Sequence, residues 1–435
     1  MDKLRVEALV IGGGIAGMQS ALDLADQGFQ VALVEREPSI GGRMITLSKV
    51  FPTLDCCSCI TTPKMSAVAH HPNIRLFTYC EVQSVREQGS GFAVSVVQKP
   101  RYVDVSKCTG CRDCEYECPI TVPSPFDRNL GAYRAIRVPF STAVPQKAVL
   151  DPEYCLWCGK CEQVCPVDAI DFSQQMETFT VEAASIVMAT GFELTPVSTK
   201  KEYGEGRLRN VIDPLMMERF LAPTGPYGRV LRPGDGKEPT SIAYVQCAGS
   251  RDETLGITYC SRVCCMYAIK QAMLLNGALP LADITIYYMD IRTFGKGYEQ
   301  FYQNAKAMGV EFVRGKVALI KEDADQNPVV KVEMTDTGEI VERTHDLVVL
   351  SQGIIPACRP TVSLPVGSDG FISVPEPDCA PCVTERPGIF VTGTAMGPMD
   401  IVDSIISASA AAAEASAYIR ENRAALEVRK EAAYA

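Results

Sequence analysis

The start of the chain alternates between apolar runs and polar turns in the order typical of a β–α–β unit. Residues 4–11 form an apolar run of the kind found in buried parallel strands. An amphipathic helix is predicted from about residue 18 to residue 27, and residues 31–34 form a second apolar run. This order predicts two parallel strands joined by a helix, at the start of an α/β fold.

Three glycines and one acidic residue give this unit a candidate function. Gly12, Gly14 and Gly17 read G-x-G-x-x-G between strand and helix, and Glu35 ends the second strand. Glycine lets the backbone approach a pyrophosphate at a helix N-terminus, and an acid about 20 residues further on can hold a ribose hydroxyl. We therefore expect a dinucleotide here. The alternative is a tight turn in an ordinary β–α–β unit.

Later apolar runs predict that this first domain is interrupted twice. Alternating patterns at 75–79, 92–97 and 179–182 predict a meander that leads into a buried strand at 184–188. A second set of elements is predicted at 241–247, 266–276, 284–289, 329–334 and 347–350. A strand at 388–393 and an alanine-rich helix from about residue 402 then return the chain to the first domain.

These patterns divide the chain into five segments. We expect residues 1–100, 175–239 and 353–435 to build the first domain. Residues 101–174 form an insert, and residues 240–352 form a second dinucleotide-type domain. Because the first strand of this second domain lacks a glycine pattern at its end, we do not expect nicotinamide binding there.

Charge and hydropathy narrow the classes of partner and compartment. The net charge of −10 argues against nucleic acid. No run of about 18 uninterrupted apolar residues occurs, so we expect no membrane span. The first apolar run leads directly into the glycine loop, unlike a signal peptide. We therefore expect a cytoplasmic protein whose many cysteines are reduced.

Eight of the 19 cysteines repeat one four-cysteine motif twice. Each copy reads C-x2-C-x2-C-x3-C followed by proline, the signature of a bacterial two-cluster ferredoxin. One [4Fe-4S] cluster is assigned to Cys108, Cys111, Cys114 and Cys165. The other is assigned to Cys155, Cys158, Cys161 and Cys118. Zinc is the alternative, but zinc sites rarely have three such cysteines in series. The insert is thus predicted to conduct single electrons.

A third group of cysteines has no standard spacing. It consists of Cys247, Cys260, Cys264 and Cys265. Spacing alone leaves three interpretations open: a cluster, buried structural thiols, or a redox disulfide such as Cys260 with Cys264.

The remaining cysteines carry weaker signals. Cys56, Cys57 and Cys59 follow the glycine-rich turn closely, so a Cys56–Cys59 dithiol competes with a packed loop as the interpretation. A C-x2-C pair, Cys379 and Cys382, cannot complete a metal site by itself. Cys80 and Cys358 are expected to be ordinary buried thiols.

Further motifs resemble those of the thioredoxin and glutathione reductase superfamily, the flavoproteins with two dinucleotide-binding domains. A Gly-Gly-Arg turn follows Glu35, an Ala-Thr-Gly turn follows the strand at 184–188, and a late strand ends at Gly393. That late turn reads Gly-Thr instead of the usual Gly-Asp, so Asp400 or Asp403 is expected to replace the acid. The residues expected to contact FAD are Gly12, Gly14, Gly17, Glu35, Arg36, Gly42, Arg43, Thr190, Gly191, Gly393 and Asp400.

Nearly the whole chain also resembles the HdrA family of heterodisulfide reductase subunits, in a short bacterial form. The matching segments are residues 54–65, the ferredoxin insert, residues 259–270 and residues 397–404 with their alanine-rich helix. The resemblance implies that the third cysteine group holds an unusually ligated [4Fe-4S] cluster, which makes three clusters. It also implies that Lys270 lies near the flavin N5, where a cation would tune the flavin potential. The alternative for Lys270 is an exposed helix lysine.

The resemblance implies a flavin and iron–sulfur oxidoreductase subunit that splits electron pairs between two one-electron paths. The long family members carry an N-terminal domain and a second ferredoxin domain that are expected to be absent here. Partner redox subunits and a ferredoxin-like low-potential carrier would then complete the route, in a hetero-oligomer that could contain a dimer.

Three other functions stay open from the sequence. One is a self-contained disulfide or NAD(P)H oxidoreductase that uses Cys56 and Cys59. Another is a relative of the flavoprotein subunit of quinone-interacting oxidoreductases, docked on a membrane partner. The third is a non-enzymatic wire, in which clusters conduct and the flavin meets no substrate.

Overall fold

The computed structural model describes the backbone of residues 3–357 and 362–434, and the side chains of these residues up to residue 422. Cys358, expected to be a buried thiol, lies outside the described residues.

The described strands are numbered in chain order. They are β1 Lys3–Ile11, β2 Val31–Glu35, β3 Ile74–Thr78, β4 Cys80–Gln88, β5 Gly91–Gln98, β6 Thr121–Pro123, β7 Ala132–Arg134, β8 Ile136–Arg137, β9 Val149–Leu150, β10 Glu177–Met188, β11 Phe192–Leu194, β12 Val211–Ile212, β13 Ser241–Ala248, β14 Asp283–Tyr288, β15 Glu311–Glu322, β16 Pro328–Met334, β17 Ile340–Thr344, β18 Leu347–Gln352, β19 Ile354–Pro356 and β20 Ile389–Val391.

The described helices are numbered in the same way. They are α1 Ile15–Asp26, α2 Cys57–His70, α3 Asp113–Glu117, α4 Lys160–Gln163, α5 Pro214–Leu221, α6 Cys264–Ala278, α7 Tyr298–Ala307 and α8 Ile401–Tyr434. None of these described helices is both long and apolar enough to cross a membrane.

The first large sheet has the strand order β3-β2-β1-β10-β5-β4, and β20 also pairs with β10. Strands β3, β2, β1, β10 and β20 pair with one another in parallel. Strand β5 pairs with both β10 and β4 in antiparallel fashion. Side chains of α1, α2 and α8 share one buried cluster with the strands. Helix α1 begins at Ile15, three residues earlier than the predicted start at residue 18, and Gly14 is its N-cap.

Close packing explains why glycine occupies two positions in the first turn. Gly12 has φ +110°, and a Cβ there would lie 2.2 Å from the carbonyl oxygen of Ala189. A Cβ on Gly17 would lie 1.8 Å from the carbonyl oxygen of Gly12. Because no larger residue fits, these glycines bring β1, α1 and the end of β10 together.

The second large sheet has the strand order β12-β18-β13-β14-β15-β16-β17. The pairs from β12 to β15 are parallel, and β15, β16 and β17 form an antiparallel meander. Residues of α5, α6 and α7 pack on one face. Strand β15 and helices α2, α5 and α7 were not predicted from the sequence, and α5 contributes to the candidate site.

Between β5 and β10, which are antiparallel neighbours in the first sheet, the chain forms a small module. It contains the hairpin pairs β6–β7 and β8–β9 and the short helices α3 and α4. Its core is small and is built partly from cysteine side chains. Each short helix follows a residue in the left-handed conformation, Arg112 with φ 72° and Gly159 with φ 74°, which turns the chain sharply next to a cysteine motif.

Candidate flavin cavity and cysteine clusters

A cavity of about 900 Å³ opens where the two large sheets and the small module meet. This volume is at the upper end of the range of ligand pockets, as a dinucleotide requires. Nine of the predicted flavin residues line it: Gly12, Gly14, Glu35, Arg36, Gly42, Arg43, Thr190, Gly191 and Asp400. Two others, Gly17 and Gly393, are absent from its lining, and their missing Cβ atoms leave room for Gly12 and Ala16 instead.

Glu35 is fixed at the end of β2 by the backbone around it. Its carboxylate accepts hydrogen bonds from the backbone N–H groups of Gly13 at 2.6 Å and Glu37 at 2.8 Å. Burial raises the pKa of Glu35 above its usual value, although both N–H groups act in the opposite direction. The carboxylate is therefore held in one place at the cavity wall.

Arg43 places a positive charge on the cavity wall. Among the described residues its guanidinium has no ion-pair or hydrogen-bond partner, whereas nearby Arg128 pairs with Asp213 at 2.5 Å. Burial and the charge of Arg128 lower the pKa of Arg43. A partly buried cation that lacks a partner is costly unless an anionic group is bound, so this wall suits a pyrophosphate.

Lys270 is buried and paired, so the interpretation as an exposed helix lysine is wrong. Only 2% of its side chain is exposed. Its ammonium donates hydrogen bonds to the carbonyl oxygen of Lys49 at 2.8 Å and to Glu218 Oε1 at 2.5 Å. Lys270 and Glu218 both line the cavity.

Glu218 is the hub of this buried network. Besides Lys270, its carboxylate accepts bonds from the backbone N–H and hydroxyl of Ser48, at 2.8 and 2.6 Å, and from the Gln271 amide at 2.5 Å. Burial by itself would raise the pKa of Glu218, but the Lys270 charge and these donors hold the pKa below its usual value. The Glu218 carboxylate therefore holds the end of the Lys270 side chain at the cavity wall.

Glu218 was not predicted as a site residue, although the sequence before it contains a local signal for its helix. Asp213 and Pro214 form a typical helix start: the Asp213 carboxylate accepts a bond from the N–H of Met216, and Pro214 is the first residue of α5. The signal predicts the helix. It does not predict that Glu218 meets Lys270, which requires the packing of α5 on α6.

The small module forms part of the cavity wall, which was also not predicted. Tyr133, Arg137 and Asp151 line the cavity beside Tyr79 of the first sheet's β3–β4 turn. The Arg137 guanidinium lies 3.5 Å from the centre of the Tyr133 ring, and the Tyr133 hydroxyl donates to Asp151 at 3.2 Å. The backbone N–H of Tyr79 donates to the carbonyl oxygen of Glu37 at 2.9 Å, so Tyr79 lies at the end of the cavity marked by Glu35.

The structure brings the eight cysteines of the small module together in two groups, while their assignment as cluster ligands stays a prediction. One small cavity is lined by Cys108, Cys111, Cys114 and Cys165. In the other group, burial raises the pKa of Cys155 and Cys161, and Cys118 is close enough to both of them to raise it further. The fourth cysteine of each motif therefore crosses to the other motif.

Backbone donors surround these thiols as they would surround cluster thiolates. The N–H of Trp157 lies 3.3 Å from Cys155 Sγ, and the N–H of Ala169 lies 3.2 Å from Cys165 Sγ. Such bonds favour the thiolate and tune the potential of a bound cluster. Within the described residues, no three His, Cys, Asp or Glu side chains converge as ligands of one metal ion would.

The third cysteine group comes together from three separate segments. Cys247 is near the end of β13 with φ 57°, Cys260 lies in the following loop, and Cys264 and Cys265 begin α6. Each of the last two is close enough to Cys247 and Cys260 to interact electrostatically, and burial raises the pKa of both thiols. Cys264 and Cys265 precede Lys270 by less than two turns of the same helix.

Two arginines face the same group. The backbone N–H of Arg262 lies 3.4 Å from Cys260 Sγ, and the Arg251 guanidinium lies 3.9 Å from Cys247 Sγ. Positive charge and N–H donors both favour thiolates. The surroundings of the third group therefore suit a bound cluster as well as the surroundings of the first two groups do.

Six of the described cysteines are outside these groups. Cys80 is buried, and Cys382 is a core thiol that donates to the carbonyl oxygen of Ser407 at 3.3 Å, while its sequence partner Cys379 is exposed. Cys56 is half-buried and Cys59 exposed at the start of α2. Neither Cys56 nor Cys59 lines the large cavity.

Two family models match the chain. A model described as a 4Fe-4S dicluster domain matches residues 107–170, and a model described as an FAD dependent oxidoreductase matches residues 7–44. The chain is therefore an oxidoreductase with an FAD domain and a domain for two iron–sulfur clusters.

Curated relatives align with almost the whole chain. It is 45% identical over 417 residues to the HdrA subunit of the H(2):CoB-CoM heterodisulfide,ferredoxin reductase of Methanothermobacter marburgensis, which covers 94% of this chain and 63% of that protein. It is 47% identical over 418 residues to the iron-sulfur HdrA subunit of the CoB--CoM heterodisulfide reductase of Methanocaldococcus jannaschii, with 94% and 63% covered. The chain thus spans about 63% of the length of these relatives.

Solved structures of thioredoxin reductases share the fold. The enzyme from Lactococcus lactis superimposes with a TM-score of 0.54 at 14% identity, covering 96% of this chain and 99% of that one. The T. acidophilum enzyme gives a TM-score of 0.53 at 15% identity, with the same coverage. The predicted thioredoxin-reductase-like α/β fold with a ferredoxin module is confirmed. With the curated relatives, this shows that the chain belongs to the HdrA family of heterodisulfide reductase subunits.

Proposed function

We propose that the chain is the flavin-containing electron-transfer subunit of a heterodisulfide-reductase-like complex. The observation that carries the proposal is the layout of α6, which begins with two cysteines of the third group and places Lys270 on the wall of the flavin cavity. A site for two-electron chemistry and a site for one-electron transfer thus share one helix.

The FAD would be held by residues at both ends of the cavity. Glu35 would accept from a ribose hydroxyl, the N-terminus of α1 would face the pyrophosphate, and Arg43 would supply the counter-charge. When bound, FAD supplies exchange of an electron pair or of single electrons.

Lys270 and Glu218 would set the electrostatics of the cavity. The Glu218 carboxylate fixes the Lys270 ammonium against the wall, and Ser48 and Gln271 satisfy the other positions of the carboxylate. A fixed cation favours negative charge in the cavity, so it would stabilise the reduced form of a flavin and raise its potential.

Three groups of four cysteines would hold three [4Fe-4S] clusters, each of which carries single electrons. Cys247, Cys260, Cys264 and Cys265 would form the group beside the cavity. The eight cysteines of the small module would continue the path toward the surface, where Cys111 and Cys158 are exposed.

We infer that electron pairs divide here between a high-potential and a low-potential path, as in electron bifurcation. The names of relatives support this, since one of them couples a heterodisulfide to ferredoxin. Partner redox subunits and a ferredoxin-like carrier would then supply and accept the electrons.

A self-contained disulfide reductase is supported less well. That function requires a thiol pair against the flavin, and Cys56 and Cys59 do not line the cavity. Anaerobic NADH that bleached the flavin of the isolated chain would favour it.

The proposal is tested by the ratio of iron to FAD in anaerobically purified protein. Three cubanes predict about 12 irons per FAD. Cys264→Ser should lower this ratio, whereas Cys379→Ser, which changes an exposed thiol outside the three groups, should not. A ratio of about 8 in the unmodified protein would leave only the small module loaded and would contradict the third cluster.

A further inference from the structure

Cys56 and Cys59 form a thiol pair at the first turn of α2. Cys56 is the N-cap of this 14-residue helix, and Cys59 is three positions further on. Side chains three residues apart on a helix have Cβ atoms about 5–6 Å apart, so modest local adjustment brings two such thiols within disulfide reach. Cys56 is half-buried and Cys59 exposed, and both are free thiols.

The two thiols differ in the way that an attacking and a resolving cysteine differ. A hydrogen bond from the Cys59 thiol lowers the pKa of Cys56 and raises that of Cys59. The N-terminus of a helix and the nearby charge of Lys49 also favour a thiolate at Cys56. Cys56 is thus the thiol of the pair that loses its proton more readily.

Neighbouring and similarly spaced cysteines lack this arrangement. Cys57 is buried, and burial raises the pKa of its thiol to about 12, with Lys270 acting in the opposite direction. Cys379 and Cys382 have the same sequence spacing as Cys56 and Cys59, but Cys382 is fully buried and bonded to a backbone carbonyl.

We propose that Cys56 and Cys59 are a redox-active dithiol that exchanges electrons with a disulfide in solution. The Cys56 thiolate attacks one sulfur of the external disulfide, which forms a mixed disulfide and releases one thiolate. The Cys59 sulfur then loses its proton, attacks Cys56 Sγ and releases the second thiolate. Two protons from the cysteines neutralise the two thiolates, so the external disulfide gains two electrons and the chain gains a Cys56–Cys59 disulfide.

This exchange takes place outside the flavin cavity, but its site adjoins the wall of that cavity. Cys56 pairs with Lys49 in an isolated antiparallel bridge, and the carbonyl oxygen of Lys49 accepts the bond from Lys270. Neither the flavin nor the clusters take part in the proposed step, so it stands or falls independently of the proposed function.

The test uses the loaded, unmodified protein under anaerobic conditions. The protein is equilibrated with graded ratios of reduced to oxidised glutathione, quenched in acid, alkylated and digested with trypsin. The peptide of residues 50–64 contains Cys56, Cys57 and Cys59. We expect one alkyl group and a loss of two hydrogens at oxidising ratios, and three alkyl groups at reducing ratios. Three alkyl groups at every ratio would overturn the proposal.

Substitutions identify the order of attack. Cys59→Ser should trap glutathione on Cys56, and Cys56→Ser should slow the reaction by at least tenfold. Cys379→Ser is the matched control and should leave the reaction unchanged. The rates at which oxidised glutathione and insulin oxidise the pair are then compared. The faster of the two shows whether the pair reacts better with a small-molecule disulfide or with a protein disulfide. A disulfide that includes Cys57 would contradict the assigned pair.

Discussion

At the scale of single residues, the Lys270–Glu218 pair fixes one charged contact at the wall of the cavity. A buried ion pair contributes little net stability while both partners are present, but removing one of them leaves a buried charge. The exposed fractions of the two side chains are 2% and 3%, so solvent cannot compensate for such a loss. The pair therefore has one effect on stability and another on the flavin, and the two can be separated.

Lys270→Met should lower the stability of the protein by about 3–5 kcal/mol, because Glu218 is left buried without its cation. Lys270→Met/Glu218→Gln should recover much of this loss. Thermal unfolding of the two variants, compared at one pH, measures the difference. Equal unfolding temperatures would show that the pair is not a coupled unit.

The double variant should also lower the two-electron potential of the flavin, on the order of 30–60 mV, since a charged contact of about 1.5–3 kcal/mol is lost. A spectroscopic redox titration of wild type and double variant measures this shift. An unchanged potential in a stable variant would place the Lys270 ammonium away from the reacting ring.

At the scale of elements, a histidine connects neighbouring strands of the second sheet. His345 precedes β18, and its ring bonds to the Tyr287 hydroxyl of β14 at 2.8 Å and to the Ser241 hydroxyl of β13 at 2.9 Å. Burial, with a further contribution from Arg343, lowers the pKa of His345 to about 4. The folded sheet thus holds this histidine in its neutral form.

Acid should therefore weaken the second sheet. The unfolded chain binds a proton at His345 as the pH falls through about 6.5, while the folded chain resists protonation until about pH 4. Between about pH 7.5 and 5.5 the free energy of unfolding should fall by about 1.4 kcal/mol. His345→Gln should remove this part of the pH dependence, whereas the exposed His70→Gln should retain it. Unfolding temperatures of the wild type and both variants, measured across this pH range, test whether His345 causes the loss of stability.

The small module should contribute to FAD binding as an element, through Arg137 on its cavity-facing side. Arg137→Ala should weaken FAD binding about tenfold, since a stacked, charged contact of about 1.4 kcal/mol is lost. Arg134→Ala changes a nearby arginine that does not line the cavity and is the matched control. FAD titration of deflavinated protein gives both dissociation constants. Equal FAD dissociation constants for the two variants would show that Arg137 does not contribute to FAD binding.

The sequence predicted those elements whose signal is local. The glycine spacing at Gly12 and Gly14 and the ferredoxin motifs follow from backbone and ligand geometry within a few residues. The wall made by Arg137 and the Glu218–Lys270 contact depend on packing between distant segments, so no local pattern contains them. The third cysteine group is intermediate, since its members were visible but their convergence depends on β13, the following loop and α6.

At the scale of the whole molecule, the two sheets and the small module all contribute to the wall of one cavity. The group that contains Cys264 adjoins the second sheet, and the module's groups adjoin the first. The proposed division of an electron pair requires both sets of cysteines, because one set would supply an acceptor from the second sheet and the other an acceptor from the small module.

The most direct test of this account is an anaerobic reductive titration that counts electrons per FAD. The account predicts about five, because the flavin takes two and each of three cubanes takes one. Cys264→Ser should reduce the count to about four. A count of about four in the unmodified protein would contradict the third cluster and the proposed division of the electron pair.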